Sequence, residues 1–363
     1  MINFTTIKTK FKLTLFIIIV TTLVLLLYYN KNVLNKTVGR FTFDGKSRIL
    51  SQSTSVNISC ENKDYLHVDL YHDTRMKKKG MFRLTRNPKM QFRPEGTDIT
   101  KMSAPFTPQM TKSNYEKIEK LLQIWIDVTS EVDPKGDCFM MAGGTVLGSY
   151  RHMGLIPWDD DFDINCNIDC VPRIKEKLKE YSSVIDFTNG SEKMKVYGKL
   201  DNVETFHTSS YGWNWPYLDV SFFNVNATHF REIPYTYGRY FHYKKELIMP
   251  FVLRPFGKFW LPAPRNSLAY IKETYGEISE CSDGGYSHIL EAGRRHSVQS
   301  CSKLMHLYPF VNRKIIEKIP NKREKKDKII WIKEILEFYD PETATFVPIK
   351  TICLPESLNV IES

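Results

Sequence analysis

The stretch Ala142-Gly-Gly-Thr-Val-Leu-Gly-Ser-Tyr-Arg-His152, continued by Gly154-Leu-Ile-Pro-Trp-Asp-Asp-Asp-Phe-Asp-Ile164, decides how this chain is read. Two glycines follow a short apolar run, and Asp159, Asp160, Asp161 and Asp163 then fall within five residues. Carboxylates so close repel one another unless a cation or a basic partner neutralises them. Ile156, Trp158, Phe162 and Ile164 flank them, so the segment reads as a strand entering a core and not as a solvated acidic run. These residue types point to a divalent metal and, through it, a phosphorylated substrate.

Upstream, Cys138-Phe-Met-Met-Ala142 predicts a buried strand, and Thr145 to Arg151 a short helix after the glycines. Met153-Gly154 predicts a turn, and Asp161 to Cys166 the next strand. On a strand, residues i and i+2 project to one face, so Asp161 and Asp163 can reach one metal. A third acid stands between apolar neighbours in Leu218-Asp219-Val220, within an expected strand Tyr217–Asn224. Three protein oxygens, completed by phosphate and water, suit magnesium or manganese. The Gly143-Gly144 pair lets backbone approach a phosphate, and the following helix offers N–H donors at its positive end.

Further helices are expected from Ser113, with Glu116 as a capping box, through Val128; from Val171 to Tyr181 behind an Asp169 cap; and from Asn266 to Tyr275, ending on Gly276. Strands are expected at Val184–Thr188, Met194–Leu200 and Thr205–Tyr211. Towards the end of the chain, Met305–Ile319 and Ile329–Tyr339 read as helices.

The 363 residues carry a net charge of +10, but the excess is local. From Asp73 to Arg93 there are eight basic residues against one acid, which reads as a solvated basic stem and gives no argument for nucleic-acid binding. Leu13 to Tyr29 is an uncharged run of 17 residues, at the short end of a membrane span. Lysines at 8, 10 and 12 precede it, and small-residue cleavage chemistry is missing after it. A signal anchor is therefore expected, with the remainder in the secretory lumen. Seven cysteines suit that compartment; they lack paired C-x-x-C spacing, and Cys281 with Cys301 is a candidate disulfide. Sequons stand at Asn35, Asn57, Asn189 and Asn226. The expected organisation is a cytoplasmic tail 1–12, an anchor 13–29, a stem 30–110, a catalytic domain 111–280 and an extension 281–363.

Singly, a Gly-Gly-Thr or a D-x-D is weak. Together, in this order, they follow the pattern of the nucleotidyltransferase superfamily. The stretch from Gly143 to Asp163 closely resembles the signature of the LicD/fukutin family, as does Trp215-Pro-Tyr-Leu-Asp-Val-Ser-Phe-Phe223, where Asp219 matches the third acid. Leu261-Pro-Ala-Pro264 with Tyr270-Ile-Lys-Glu-Thr-Tyr-Gly276 is similar to the family's later element.

The resemblance implies an α/β (α+β) fold, a nucleotidyltransferase-like mixed sheet flanked by helices. It implies transfer of a phospho-alcohol, ribitol phosphate or phosphocholine, from CDP-ribitol or CDP-choline onto a glycan of a glycoprotein or glycolipid. Asp161, Asp163 and Asp219 would hold magnesium or manganese. Asp159 and Asp160 match the motif as ligand, base or cap. Gly143, Gly144, Thr145, Arg151, His152 and Lys199 form the candidate substrate-binding set, with Arg151 and Lys199 near phosphate. His152 reads equally as a structural histidine bonded to loop carbonyls. The anchor and stem fit the lumenal animal branch, a single-pass type II protein of the Golgi or ER. Two rival readings are a Golgi D-x-D glycosyltransferase using a UDP-sugar and a non-catalytic, glycan-binding membrane module.

Overall fold

The computed structural model describes residues 87–102, 104–133, 136–199, 206–207, 211–234, 241–320 and 328–356, with backbone alone for 206–207, 316–320, 328–331 and 355–356. All belong to the unit Cys60–Ser363. The expected anchor at 13–29, Cys60 and the sequons at Asn35 and Asn57 lie outside the described residues. Among those described, no helix is long and apolar enough to cross a membrane.

In chain order the first elements are α1 (Lys112–Val132), β1 (Phe139–Met141), α2 (Gly143–His152), β2 (Asp163–Asn167) and α3 (Val171–Leu178). There follow β3 (Ile185–Phe187), β4 (Lys193–Gly198), β5 (Phe206–His207), β6 (Asn214–Trp215), β7 (Tyr217–Val225), β8 (His229–Glu232) and β9 (His242–Lys244). After the short α4 (Lys245–Ile248) come β10 (Val252–Phe256), β11 (Phe259–Ala263) and α5 (Ser267–Tyr275). The last part holds β12 (Glu280–Ser282), β13 (Tyr286–Ser287), β14 (Ala292–Gly293), β15 (Val298–Ser300), β16 (Phe310–Pro320), β17 (Lys328–Asp340) and β18 (Thr345–Glu356).

The chain is a mixed α/β protein with helices flanking its sheets. The central sheet runs β1-β2-β7-β4-β3, with β8 and β9 added beside β7. β2 and β7 are parallel, in a register that sets Asp163 opposite Asp219, and antiparallel β4 sets Lys195 opposite the same aspartate. Paired residues point to the same face, so an acid, an acid and a lysine form one row across three strands.

Burial explains why α1 forms where it does. Ile118, Leu121, Leu122, Trp125 and Val128 recur at helical spacing and are all buried. Its cap is Thr111, whose hydroxyl accepts from Asn114 N–H at 3.2 Å, and not the expected Ser113, which Glu95 engages through both N–H and hydroxyl. A disulfide between Cys138 and Cys170 ties the entry of β1 to the start of α3. Asp169 does not cap α3; Cys170 occupies that position without a side-chain bond. α5 has the expected bounds, with Asn266 accepting from Ala269 N–H and Gly276 closing the helix at φ +76°.

The end of the chain differs from expectation. Both segments read as helices there contribute strands of a three-stranded antiparallel sheet, β16-β17-β18. Their isoleucines and valines suit a pleated surface, and antiparallel pairing of β17 with both β16 and β18 overrides a local pattern that fits either period. Inside this sheet Glu334 accepts two bonds from Arg254, at 3.1 and 2.8 Å, and one from Arg313 at 3.0 Å. Arg313 also donates to the Tyr150 carbonyl and lies 3.4 Å from that ring's centroid, which fastens the sheet to α2.

Candidate active site

The acids gather where β1 ends and α2 begins. Ala142 is extended, and Gly143 then turns at φ +43°, a left-handed conformation that glycine adopts without strain. The two glycines are the first residues of α2 itself, so no separate turn precedes the helix. A Cβ on Gly143 would stand 2.6 Å from Asp163 Oδ2. One on Gly144 would stand 2.8 Å from Asp159 Oδ2 and 3.6 Å from Asp163 Oδ2. The missing side chains are what let two carboxylates reach the helix start.

The Gly144 N–H donates to Asp163 Oδ2 at 3.1 Å, and the Gly143 N–H to Tyr270 Oη at 3.0 Å. Thr145 Oγ1 accepts from the Asp163 N–H at 2.8 Å, locking α2 to the first residue of β2. The positive helix end thus faces Asp163.

Asp161 precedes β2, so it reaches the site from a loop and not from the strand face that its spacing predicts. The crowding is nonetheless real. Burial, then the neighbouring Asp219 and Asp159, push the Asp163 carboxyl up to about 7. Burial and Asp163 hold Asp161 well above the usual carboxylate range, and burial with Asp160 raises Asp159. Asp219 accepts from Lys195 Nζ at 3.0 Å through Oδ2, while its buried Oδ1 has no hydrogen-bond partner among the described residues. Hard oxygen donors brought together at such cost, with one lone-pair-bearing atom left over, fit a divalent cation.

Asp160 has a different task. It accepts from Ser287 Oγ at 3.1 Å, His288 N–H at 3.0 Å, His288 Nδ1 at 2.9 Å and Ile289 N–H at 3.3 Å. Burial alone would raise its carboxyl, but the bonds and charge of His288 outweigh that and hold it low. His288 Nε2 lies 3.2 Å from Asp161 Oδ2, so one imidazole bridges two adjacent aspartates. Burial opposes its charge, yet Asp161 and Asp160 push it up to about 10. Asp160, Asp161 and His288 also bring their ligand atoms within 4.8 Å of one another. Asp133, Asp137 and Cys138 form a comparable group, but Asp133 caps backbone N–H groups there and Cys138 is in a disulfide.

The loop that carries His288 is stapled at its base, where β12 pairs with β15 and Cys281 is bonded to Cys301, the pairing expected from sequence. Trp158 Nε1 donates to the Ser282 carbonyl at 2.8 Å, and Arg294 donates to the carbonyls of Trp158 and Asp283. Trp158 itself is buried, edge-on to Phe106.

The remaining candidates are dispersed. Arg151 donates to the carbonyls of Ile278 and Glu280 at 2.6 and 2.7 Å, which engages its guanidinium at the base of that loop; burial lowers its pKa to about 10. His152 is buried against Trp158 and Phe310, with Nδ1 2.8 Å from the Pro309 carbonyl, and burial pushes its pKa down to about 3. That is the structural alternative of the two open for it. Lys199 is exposed just beyond β4. The lysine in the acid row is the buried Lys195, and its place between the apolar Met194 and Val196 was the available signal.

Residues 136–266 match the family model described as LicD/FKTN/FKRP, nucleotidyltransferase domain. The chain is also similar to the ribitol 5-phosphate transferase FKRP of Mus musculus and of Homo sapiens, each 24% identical over 151 residues, 41% of this chain and 30% of the relative. The chain thus spans about a third of the length of the curated relatives it matches. His288 and Glu291 lie beyond the matched residues.

Proposed function

We propose that the acid site transfers a phospho-alcohol from a CDP-activated donor onto a glycan hydroxyl, a reading supported by the match of residues 136–266 to the LicD/FKTN/FKRP nucleotidyltransferase model. The observation that carries this reading is the row of Asp163 and Asp219 on parallel strands, met by Asp161 and by a helix start that only glycine can provide. Asp161, Asp163 and Asp219 would hold magnesium or manganese, which would neutralise charge on the pyrophosphate as the bond to the cytidylate breaks. Asp160 and His288 keep Asp161 and the covering loop in place. Asp159, next to Gly144 and raised by burial, is the carboxylate positioned to take the acceptor hydroxyl's proton.

Ribitol phosphate is the first cargo to test, since similarity runs to ribitol 5-phosphate transferases; phosphocholine is the second. The Leu13–Tyr29 run supports a single-pass type II protein with its site in the Golgi or ER lumen. Incubating the full chain and manganese with CDP-ribitol, CDP-choline, UDP-sugars and a glycoprotein acceptor, then weighing the product, tests the reading. Turnover of a UDP-sugar alone would overturn it in favour of a D-x-D glycosyltransferase.

A further inference from the structure

Lys195 is held in an unusual way for a lysine in a sheet. Only 7% of its surface is exposed. Its ammonium is 3.0 Å from Asp219 Oδ2 and 3.8 Å from Glu291 Oε1. It lies 3.6 Å from the centroid of Tyr217 and 5.2 Å from that of Trp213. Glu291 is in turn fixed by three donors: Trp213 Nε1 at 2.9 Å and Tyr217 Oη at 2.8 Å on Oε1, and Tyr286 Oη at 3.1 Å on Oε2. Two aromatic faces and two carboxylates therefore set one ammonium at the edge of the acid cluster.

Neutralising Asp219 would need nothing so elaborate. An anionic diphosphate approaching four clustered aspartates meets repulsion that a fixed cation must offset. Among the described residues, the other cations nearby are committed: Arg151 to the Ile278 and Glu280 carbonyls, Arg294 to the Trp158 and Asp283 carbonyls, and His288 to Asp160 and Asp161. Lys195 stands in the acid row itself, on the strand beside Asp219.

We propose that Lys195 is the cation that receives the nucleotide's diphosphate, and that Glu291, from beyond the family-matched residues, is the positioning residue that aims it. This rests on the reading above that the site takes a nucleotide-activated donor. The compact ammonium acts as a point charge on phosphate oxygens, and the Tyr217 and Trp213 faces keep its stem from swinging into solvent.

The test is nucleotide affinity of the full chain by calorimetry, with manganese present and CDP, UDP and inorganic pyrophosphate as separate arms. Manganese affinity without nucleotide is measured alongside by electron paramagnetic resonance. Lys195→Met is expected to weaken the bound nucleotide roughly tenfold or more, the size of one lost charge-assisted contact, with manganese affinity unchanged or tighter. Lys195→Arg should recover most of that loss, and Glu291→Gln should show a smaller loss although Lys195 is intact. Unchanged nucleotide affinity in Lys195→Met, or a loss matched by an equal loss of manganese, would overturn the proposal. If Lys195→Met fails to fold, Glu291→Gln decides, because affinity equal to wild type there removes the positioning role. A wild-type preference for UDP, with the same sensitivity to Lys195, sustains this inference and overturns only the cytidine donor.

Discussion

His288 and Asp160 form the joint between the acid cluster at the central sheet and the loop that covers it: the imidazole Nδ1 lies 2.9 Å from Asp160 Oδ1, and the His288 backbone N–H donates to Oδ2 of the same carboxylate at 3.0 Å. Because the other imidazole nitrogen faces Asp161, the joint also sets the rotamer of a candidate metal ligand. Asp160→Ala should therefore loosen residues 286–291 and weaken manganese binding together. Hydrogen exchange of the His288 and Ile289 amides should speed up at least tenfold, while those of α1 stay as they are. Unaltered exchange at 288 and 289 would mean that other contacts hold the loop.

At Gly144 two effects oppose one another. Alanine in a helix is favoured over glycine by about 1 kcal/mol. The new methyl would meet Asp159 Oδ2 at 2.8 Å, and overpacking of that kind costs about 1–3 kcal/mol. Gly144→Ala should thus melt at or below the wild-type temperature and bind manganese at least tenfold more weakly. A variant that melts higher and keeps its metal affinity would show that the acids do not press on the helix start.

Glu232, behind the acid cluster and within the electrostatic reach of Asp163, gives a pH prediction. It is buried, accepts from Asn165 Nδ2 at 3.0 Å, and burial pushes its carboxyl from 4.5 up to about 7. The folded state binds that proton more tightly than the unfolded chain does, so the stability that Glu232 contributes is full below about 4.5 and is lost as pH rises through about 7. The decline amounts to on the order of 3 kcal/mol. Glu232→Gln keeps an acceptor for Asn165 and removes the titration. In chelator-treated protein it should gain stability over wild type between pH 5 and pH 8, read by denaturant unfolding. A difference that does not change with pH would refute the assignment.

Features whose partners lie close in the chain are legible in the sequence, and those with distant partners are not. The glycine pair, the acids and Asp219 announce themselves locally, because each sits among apolar residues of one strand or one helix start. The bounds of α5 were legible for the same reason: Asn266 and Gly276 cap it from within a few residues. Long-range pairing was not legible. His288 meets Asp160 from 128 residues away, and Glu291 meets Tyr217 from 74, with no local pattern to mark either. The strands β16 and β17 read as helices in the sequence because their apolar positions satisfy both periods, and only pairing along their length distinguishes them. The expected role of Arg151 at phosphate faced a competitor invisible in sequence, the carbonyls at 278 and 280.

The same logic makes the fastening of the last sheet testable. Glu334 is buried between Arg254 and Arg313, and breaking such a triad strands two guanidinium groups. Glu334→Ala should cost about 3–5 kcal/mol, far more than any exposed ion pair such as Lys101 with Asp98. Denaturant unfolding of Glu334→Ala beside Lys101→Ala checks it, and equal small losses would count against the clasp.

The most direct measurement is transfer by Asp219→Ala and Asp163→Ala beside wild type, with CDP-ribitol, CDP-choline and manganese, and the acceptor glycan weighed by mass spectrometry. Wild type should add one phospho-alcohol to the glycan, and both variants should add none while keeping wild-type melting. Full transfer by either folded variant would contradict the assignment of these aspartates to the metal.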